Sequence, residues 1–345
     1  VTTEILPLVT GIPGPTLEAE ERTILERVRP AGIILFSRNV VSATQVRELV
    51  DQLEELPSNP FLCIDLEGGA VNRLSGLWGE LPSPAEAAAV GRRAVRALGE
   101  AAGAACRSLG IHLDLAPVVD LETPEGLLAR EGRCLSDDPE RAAALAGVFT
   151  AGLASWCVSG CLKHYPGLGP IPLDTHLELP VLEGDEASLE PHLAPFETLS
   201  ASVPTVMMAH VVVPALGDAE RPASLVPRLV RRAAELPGRP VVLSDDLEMG
   251  ALGPWGDLED RAVAALAAGN HGIIVSKAFD RLPAIAGRLV TAMETDTHLW
   301  QAIQEASARL GTLRNDLCRT AASMPAPDDD LVATLWEQAR REATP

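Results

Sequence analysis

Residues 160–176 read GCLKHYPGLGPIPLDTH, and the change of character along them points to the fold. A short apolar run, 160–164, ends in a Lys-His pair, a Gly/Pro-rich turn follows, and the stretch closes on Asp174 and His176. On extended backbone, side chains at i and i+2 project to one side, so Asp174 is spaced to orient His176 and raise its proton affinity. A His partnered by a carboxylate is the common device for moving protons near neutral pH. Taken alone, the pair reads more readily as part of an ordinary surface loop. The pattern repeats outward in both directions. Candidate strands at 5–10, 32–36, 61–65, 112–118, 160–164, 205–210, 241–245 and 272–276 alternate with helical stretches near 17–29, 43–56, 86–109, 138–156, 186–201, 224–236 and 257–268. Such repetition predicts a parallel sheet closed as an α/β, (β/α)8 TIM-type barrel. Helices at 280–295, 299–322 and 328–341 are expected to wrap the outside. No Ser/Gly linker breaks the chain, so 1–345 reads as one domain, a barrel over about 4–295 with C-terminal helices over about 299–341.

Polar residues collect where strands end. Asp65 and Glu67 follow the third strand, Asp120 the fourth, Lys163-His164 the fifth, His210 the sixth and Asp245-Asp246 the seventh. In a parallel barrel these positions share the C-terminal rim, where active sites are built. One such acid reads as a helix N-cap, and Asp120 suits that role. Five strand ends carrying Asp, Glu, Lys or His do not reduce to caps, and the expectation is a rim active site.

The 345 residues are 47% hydrophobic and 22% charged, ample for a full core. A net charge of −20 disfavours nucleic acid and anionic membrane surfaces as partners. Lys163 and Lys277 are the only lysines. Six cysteines without CxxC spacing read as free thiols in a reducing compartment, and no metal site or cofactor is expected. The first residues lack a basic leader, and no apolar run reaches the roughly 18 residues of a membrane span. The expectation is a cytoplasmic monomer.

Five segments then carry a resemblance: IDLEGGAVNRL (64–74), GRCLSDDP (132–139), KHYPGLGPIPLDTHLELP (163–180), VMMAH (206–210) and VVLSDDLEM (241–249). In this order they resemble glycoside hydrolase family 3, in its single-domain NagZ-type β-N-acetylglucosaminidase (β-N-acetylhexosaminidase) group, from about residue 8 to about 285. The resemblance implies Asp245 as catalytic nucleophile and His176 as acid/base with Asp174 as its partner. It also implies Asp65, Arg133, Lys163 and His164 as sugar-binding residues and His210 in the pocket. Asp246 reads as a support for its loop. Met207 and Met208 read as strand packing, with Met208 lining the pocket.

Retaining glycosidases normally pair two carboxyl groups about 5–5.5 Å apart. In this group a His replaces one of them: Asp245 would form a glycosyl-enzyme while protonated His176 supports the leaving oxygen, then takes a proton from water. The expected reaction is hydrolysis of terminal β-linked N-acetylglucosamine from short glycans or from peptidoglycan-recycling fragments. With 3% aromatic residues, broad sugar-stacking platforms are not expected. The chain departs from the family pattern at four places: Leu66 stands for a common Gln, Ala70 for Arg, Leu168 for His and Pro170 for Asp. Each removes a hydrogen-bonding group near the expected pocket, which bears above all on what occupies the leaving-group side. Three other readings remain open at this stage. They are a catalytically weakened sugar-binding relative, a β-glycoside phosphorylase of the same family, and a metal-dependent barrel hydrolase, against which stands the lack of HExxH or an early HxH. His112 and His271, at strand starts, read as structural, and His192 and His298 as solvent-facing.

Overall fold

The computed structural model describes residues 5–172 and 178–344. Eight barrel strands appear in chain order: β1 (Leu6–Gly11), β2 (Pro30–Leu35), β3 (Phe61–Ile64), β4 (Leu113–Asp114), β5 (Cys161–Tyr165), β6 (Thr205–Met208), β7 (Val241–Asp246) and β8 (Gly272–Val275). All neighbours pair in parallel, in the order β4-β3-β2-β1-β8-β7-β6-β5. Parallel bridges Leu113–Ser159 and Val118–Lys163 join the two ends, so the sheet closes on itself. The expected TIM-type barrel is the observed one.

Each strand is followed by a helix on the outer face: α1 (Ala19–Val28), α2 (Ala43–Glu54), α3 (Arg92–Ser108), α4 (Pro139–Ala154), α5 (Glu186–Leu199), α6 (Pro227–Ala234), α7 (Leu258–Ala267) and α8 (Leu282–Thr295). Local chemistry sets several starts. Ser42, Asp138, Asp185 and Asp257 accept backbone N–H bonds from the first turns of α2, α4, α5 and α7, which would otherwise lack partners. Helices α3 and α4 approach closely because they meet at Gly99, Gly103 and Gly152. A Cβ on Gly152 would lie 2.6 Å from the carbonyl carbon of Gly99.

The strands alternate between two apolar layers, as period-2 geometry requires. Outward side chains, including Leu8, Ile33, Leu62, Val206, Met208 and Val242, pack under the helices. Inward ones, including Val9, Ile34, Cys63, Cys161, Met207, Leu243 and Ile274, fill the cylinder.

Two helices follow, α9 (Thr297–Ala322) and α10 (Asp329–Glu342). One expectation needs correction here: α9 does not wrap the outside. It crosses the N-terminal end of the barrel, and its Leu310, Leu313 and Leu317 join the inward cluster of Ile5, Val9 and Phe61. The open bottom of the cylinder presents apolar side chains, and α9 supplies the apolar stripe that covers them. Helix α10 packs on α3, and its Trp336 is buried with its indole N–H donating to the Gly79 carbonyl at 3.2 Å.

Candidate active site

The C-terminal ends of the strands surround a pocket of about 380 Å³. Among the described residues its polar lining is Asp65, Glu67, Arg73, Glu131, Arg133, Lys163, His164, Asp245, Asp246 and Ser276. Strand β3 delivers Asp65 at its end. The short hairpin that follows, Leu66–Gly68 against Val71–Asn72, turns Glu67 inward, where it is 1% exposed.

Glu67 organises the positive side chains. It accepts from Arg133 Nε at 2.8 Å and Nη2 at 2.9 Å, a bidentate pair, and lies 2.6 Å from Lys163 Nζ. Lys163 also donates to Asp65 Oδ1 at 2.8 Å, and Arg73 Nη2 stands 3.9 Å from Asp65 Oδ2. Burial works against the charge on Glu67, but Arg133 and Lys163 outweigh it and hold its carboxyl far below the usual range. Burial likewise opposes the charges on Lys163 and Arg133. The facing carboxylates prevail and keep both above their ordinary values.

His164 is fixed from behind. Asp120 Oδ2 accepts its backbone N–H at 3.0 Å and lies 2.8 Å from its Nδ1, while Asp120 Oδ1 accepts the Leu168 N–H at 2.6 Å. A carboxylate only accepts, so Nδ1 carries the proton in the pair and Nε2 is left for the pocket. Asp120 is therefore not the helix cap expected of it: the next helical turn, Leu127–Arg130, begins at Gly126, and Asp120 instead ties the β4 and β5 ends together. The peptides Lys163–His164 and Tyr165–Pro166 are cis.

Asp245, next to last in β7, faces this cluster, and its Oδ1 accepts the Asp246 N–H at 2.8 Å. Burial disfavours its ionised form. The neighbouring imidazoles of His164 and His210, the Asp246 amide and the Lys163 ammonium more than offset that, so its carboxyl lies below the usual value. Asp246 goes the other way. Burial, with Glu248 and Asp245 adding repulsion, pushes it up to about 6 despite its bonds to the Ser276 hydroxyl and the Glu248 N–H. Two adjacent carboxyls thus differ in kind: one is held as an anion, and the other titrates near neutrality.

Two sequence expectations change place. His210 does not line the pocket: it is buried behind β7, with Nε2 donating to the Asp246 carbonyl at 3.1 Å and Nδ1 lying 2.7 Å from Ser224 Oγ. It positions the Asp245-Asp246 backbone, and burial keeps it below the ordinary imidazole value. Met208 points outward under the helices, and its neighbour Met207 lines the pocket, because adjacent residues of a strand face opposite ways. Asp174 and His176 lie outside the described residues. His192 is half-buried beside Gly167, not solvent-facing.

The reading by residue type gave no partner to Glu67 and missed Arg73 and Phe36. Phe36 lies between Arg38, 4.5 Å from the ring centroid, and Arg73, 5.7 Å from it. The one available signal was the Asp65-x-Glu67 spacing beside a chain otherwise poor in lysine. No group of three or more His, Cys, Asp or Glu poised for a metal occurs among the described residues.

The comparisons with known proteins give this arrangement its family. The model of the glycosyl hydrolase family 3 N-terminal domain matches residues 5–313. This chain belongs to glycosyl hydrolase family 3. It is accordingly a glycosidase, and the family resemblance read from its motifs holds. Among family 3 relatives, a beta-hexosaminidase from Pseudomonas aeruginosa (strain PAO1) is 35% identical over 272 residues, 76% of this chain and 80% of that one. A beta-hexosaminidase from Stenotrophomonas maltophilia (strain K279a) is 33% identical over 287 residues, 78% of this chain and 82% of its own. Among solved family 3 structures, a beta-N-acetylglucosaminidase from Paenibacillus sp. superposes with a TM-score of 0.87 at 26% identity, covering 98% of this chain and 67% of that one. NagZ from Neisseria gonorrhoeae, in complex with N-trifluoroacetyl-D-glucosamine, gives 0.74 at 26% identity, with coverage of 97% and 90%.

Proposed function

We propose that this glycosidase releases terminal, non-reducing β-linked N-acetylglucosamine from short glycans or peptidoglycan fragments, with retention of configuration. The observation that carries the reading is Asp245: a carboxyl kept ionised at the mouth of the barrel, in one pocket with Asp65, Arg133, Lys163 and His164. Asp245 attacks the anomeric carbon and forms a glycosyl ester. Asp65 and the Nε2 of His164 accept from sugar hydroxyls, and Lys163 and Arg133 donate to them. His176, partnered by Asp174, protonates the leaving oxygen and then deprotonates water. Names of relatives such as the Pseudomonas aeruginosa beta-hexosaminidase support the choice of sugar. The free thiols Cys63, Cys106, Cys134 and Cys161, all buried, support a reducing, cytoplasmic setting. No helix among the described residues is long and apolar enough to cross a membrane.

Phosphorolysis is disfavoured by charge. Five carboxyls line the pocket (Asp65, Glu67, Glu131, Asp245, Asp246), and the cations Lys163 and Arg133 are both engaged by acids, so an anionic acceptor meets repulsion.

The test is an aryl N-acetyl-β-glucosaminide with the first-formed anomer read by NMR, followed by mass spectrometry after a fluorinated N-acetylglucosamine-type inactivator. The expected results are a β product and a label on the Asp245 peptide; an α product or a label elsewhere rejects the mechanism. Asp245→Asn should lower kcat by about 10³-fold or more. His176→Ala should spare good leaving groups and penalise poor ones about 10²-fold or more. Running the assay in phosphate and in a non-nucleophilic buffer, with the sugar product identified, separates hydrolysis from phosphorolysis.

A further inference from the structure

The pocket has two unlike walls. One is the charged cluster already described. The other is apolar: Ala70 and Val71 at the tip of the hairpin after β3, Leu127 and Leu128 in the turn Leu127–Arg130, and Leu168 and Ile171 in the loop after β5. These six residues come from three separate connections, yet they form one surface. Ala70 is exposed, Val71 and Leu127 are half-buried, and Leu168 and Ile171 are nearly covered, so the wall runs from the rim inward.

The wall is held in place by hydrogen bonds. The Leu127 N–H donates to the Ile171 carbonyl at 2.8 Å, Thr123 Oγ1 to the Gly169 carbonyl at 2.7 Å, and the Leu168 N–H to Asp120 at 2.6 Å. Arg130 Nη2 donates to the Pro172 carbonyl at 2.9 Å and its Nη1 to the Glu125 carbonyl at 2.5 Å, so these donors are taken by backbone. A Cβ on Gly126 would lie 2.1 Å from the Gly169 carbonyl oxygen, which is how closely the two segments meet.

Among the described lining residues, charge at this end is negative or paired. Glu131 is the exposed acid of the lining and lies 3.4 Å from Arg133, which Glu67 already holds bidentately. Arg73 leans towards Asp65 and over Phe36. Among the described residues of the pocket, every Lys and Arg has an acidic neighbour within 4 Å.

We propose that the leaving-group site of this enzyme takes neutral, apolar aglycones and discriminates against anionic ones. The proposal rests on the N-acetylglucosaminidase reading above for the sugar and departs from it for the aglycone, placing apolar groups ahead of polar glycans and anionic peptidoglycan peptides. The polar groups of a terminal sugar need the charged wall, so what lies beyond the anomeric carbon is left to the other. The loop bearing Leu168 and Ile171 also leads in sequence into His176, the residue assigned to the leaving oxygen. A carboxylate there would be desolvated against leucine and isoleucine with no unpaired lysine or arginine among the described lining residues, whereas an alkyl or aryl group would displace water from apolar surface.

The test holds leaving-group chemistry constant. kcat/KM is measured for ethyl, butyl and hexyl N-acetyl-β-glucosaminides and for the 5-carboxypentyl glycoside, with 4-nitrophenyl N-acetyl-β-glucosaminide as reference. The expected result is a rise of about tenfold from ethyl to hexyl and a fall of about tenfold or more from hexyl to its carboxylate counterpart. Ala70→Arg, at an exposed rim position, should shrink the carboxylate penalty at least about threefold. Turnover with no dependence on chain length, or a preference for the carboxylate, overturns this proposal alone. No release of N-acetylglucosamine from any of the glycosides, the aryl one included, overturns the N-acetylglucosaminidase reading as well.

Discussion

Glu67 shows what a single buried residue does for the pocket. It is 1% exposed and faces two cations that are themselves nearly enclosed, so its charge has no substitute. Replacing it by Gln keeps the shape but leaves Arg133 and Lys163 short of negative charge. The cost should be about 3–5 kcal/mol, read as a fall in the urea midpoint, with a loss of kcat/KM expected from the sugar-binding role proposed for Lys163 and Arg133. An unchanged midpoint would mean that the cations find other partners. The pH sign follows from the depressed carboxyl. The stabilisation is fully present above the ordinary Glu value near 4.5 and is lost as pH falls towards the folded value. The motifs named Asp65, Arg133, Lys163, His164 and Asp245, and the pocket contains all five. The role of Glu67 was not, because an acid's partners are set by side chains far away along the chain: Arg133 lies 66 positions away.

Strands carry a second pH dependence, at the opposite end of the barrel. His112 Nδ1 accepts the Leu62 N–H at 3.1 Å, where β3 and the approach to β4 lie side by side, and His271 Nδ1 accepts the Val242 N–H at 2.9 Å between β7 and β8. An imidazole that accepts at Nδ1 must be neutral, and burial, with Arg107 and Arg309 nearby, pushes the two down to about 4. As pH falls from 6.5 towards 4 the unfolded chain takes up these protons first, so stability drops across that window, by up to about 3 kcal/mol for each His. The urea midpoint should therefore fall between pH 7 and pH 5. The His271→Asn variant, which can keep an acceptor near the same place without titrating, should show a smaller fall. An equal fall in variant and parent would remove His271 from the account. The positions of these elements were readable from alternating apolar and helical stretches, since strand and helix periods are local properties. Which side of a strand faces inward was not. Met207 and Met208 are alike in type, and only the register of β6 between β5 and β7 turns Met207 to the pocket.

At the scale of the whole molecule, the barrel is closed at its bottom by α9, and stability there is separable from the pocket at the other end. Leu310 is fully buried among the inward side chains, and Leu310→Ala should cost about 2–5 kcal/mol, seen as a lower Tm. KM for an aryl N-acetyl-β-glucosaminide at 25 °C should stay within about twofold of the parent, because sites this far apart behave additively. A matching change in KM would show that the bottom of the barrel reaches its mouth. The amino-acid sequence by itself determined the eight strands and eight helices, the family, and the residue types gathered on the C-terminal rim, because periodicity and short motifs are carried by neighbours in the chain. Only the tertiary structure decided that Glu67 neutralises Arg133 and Lys163, that Asp120 holds His164, that His210 stands behind the pocket, and that apolar side chains from three connections make one wall. The physical reason is distance along the chain: Lys163 and Asp65 are 98 positions apart and meet at 2.8 Å only when the sheet has closed.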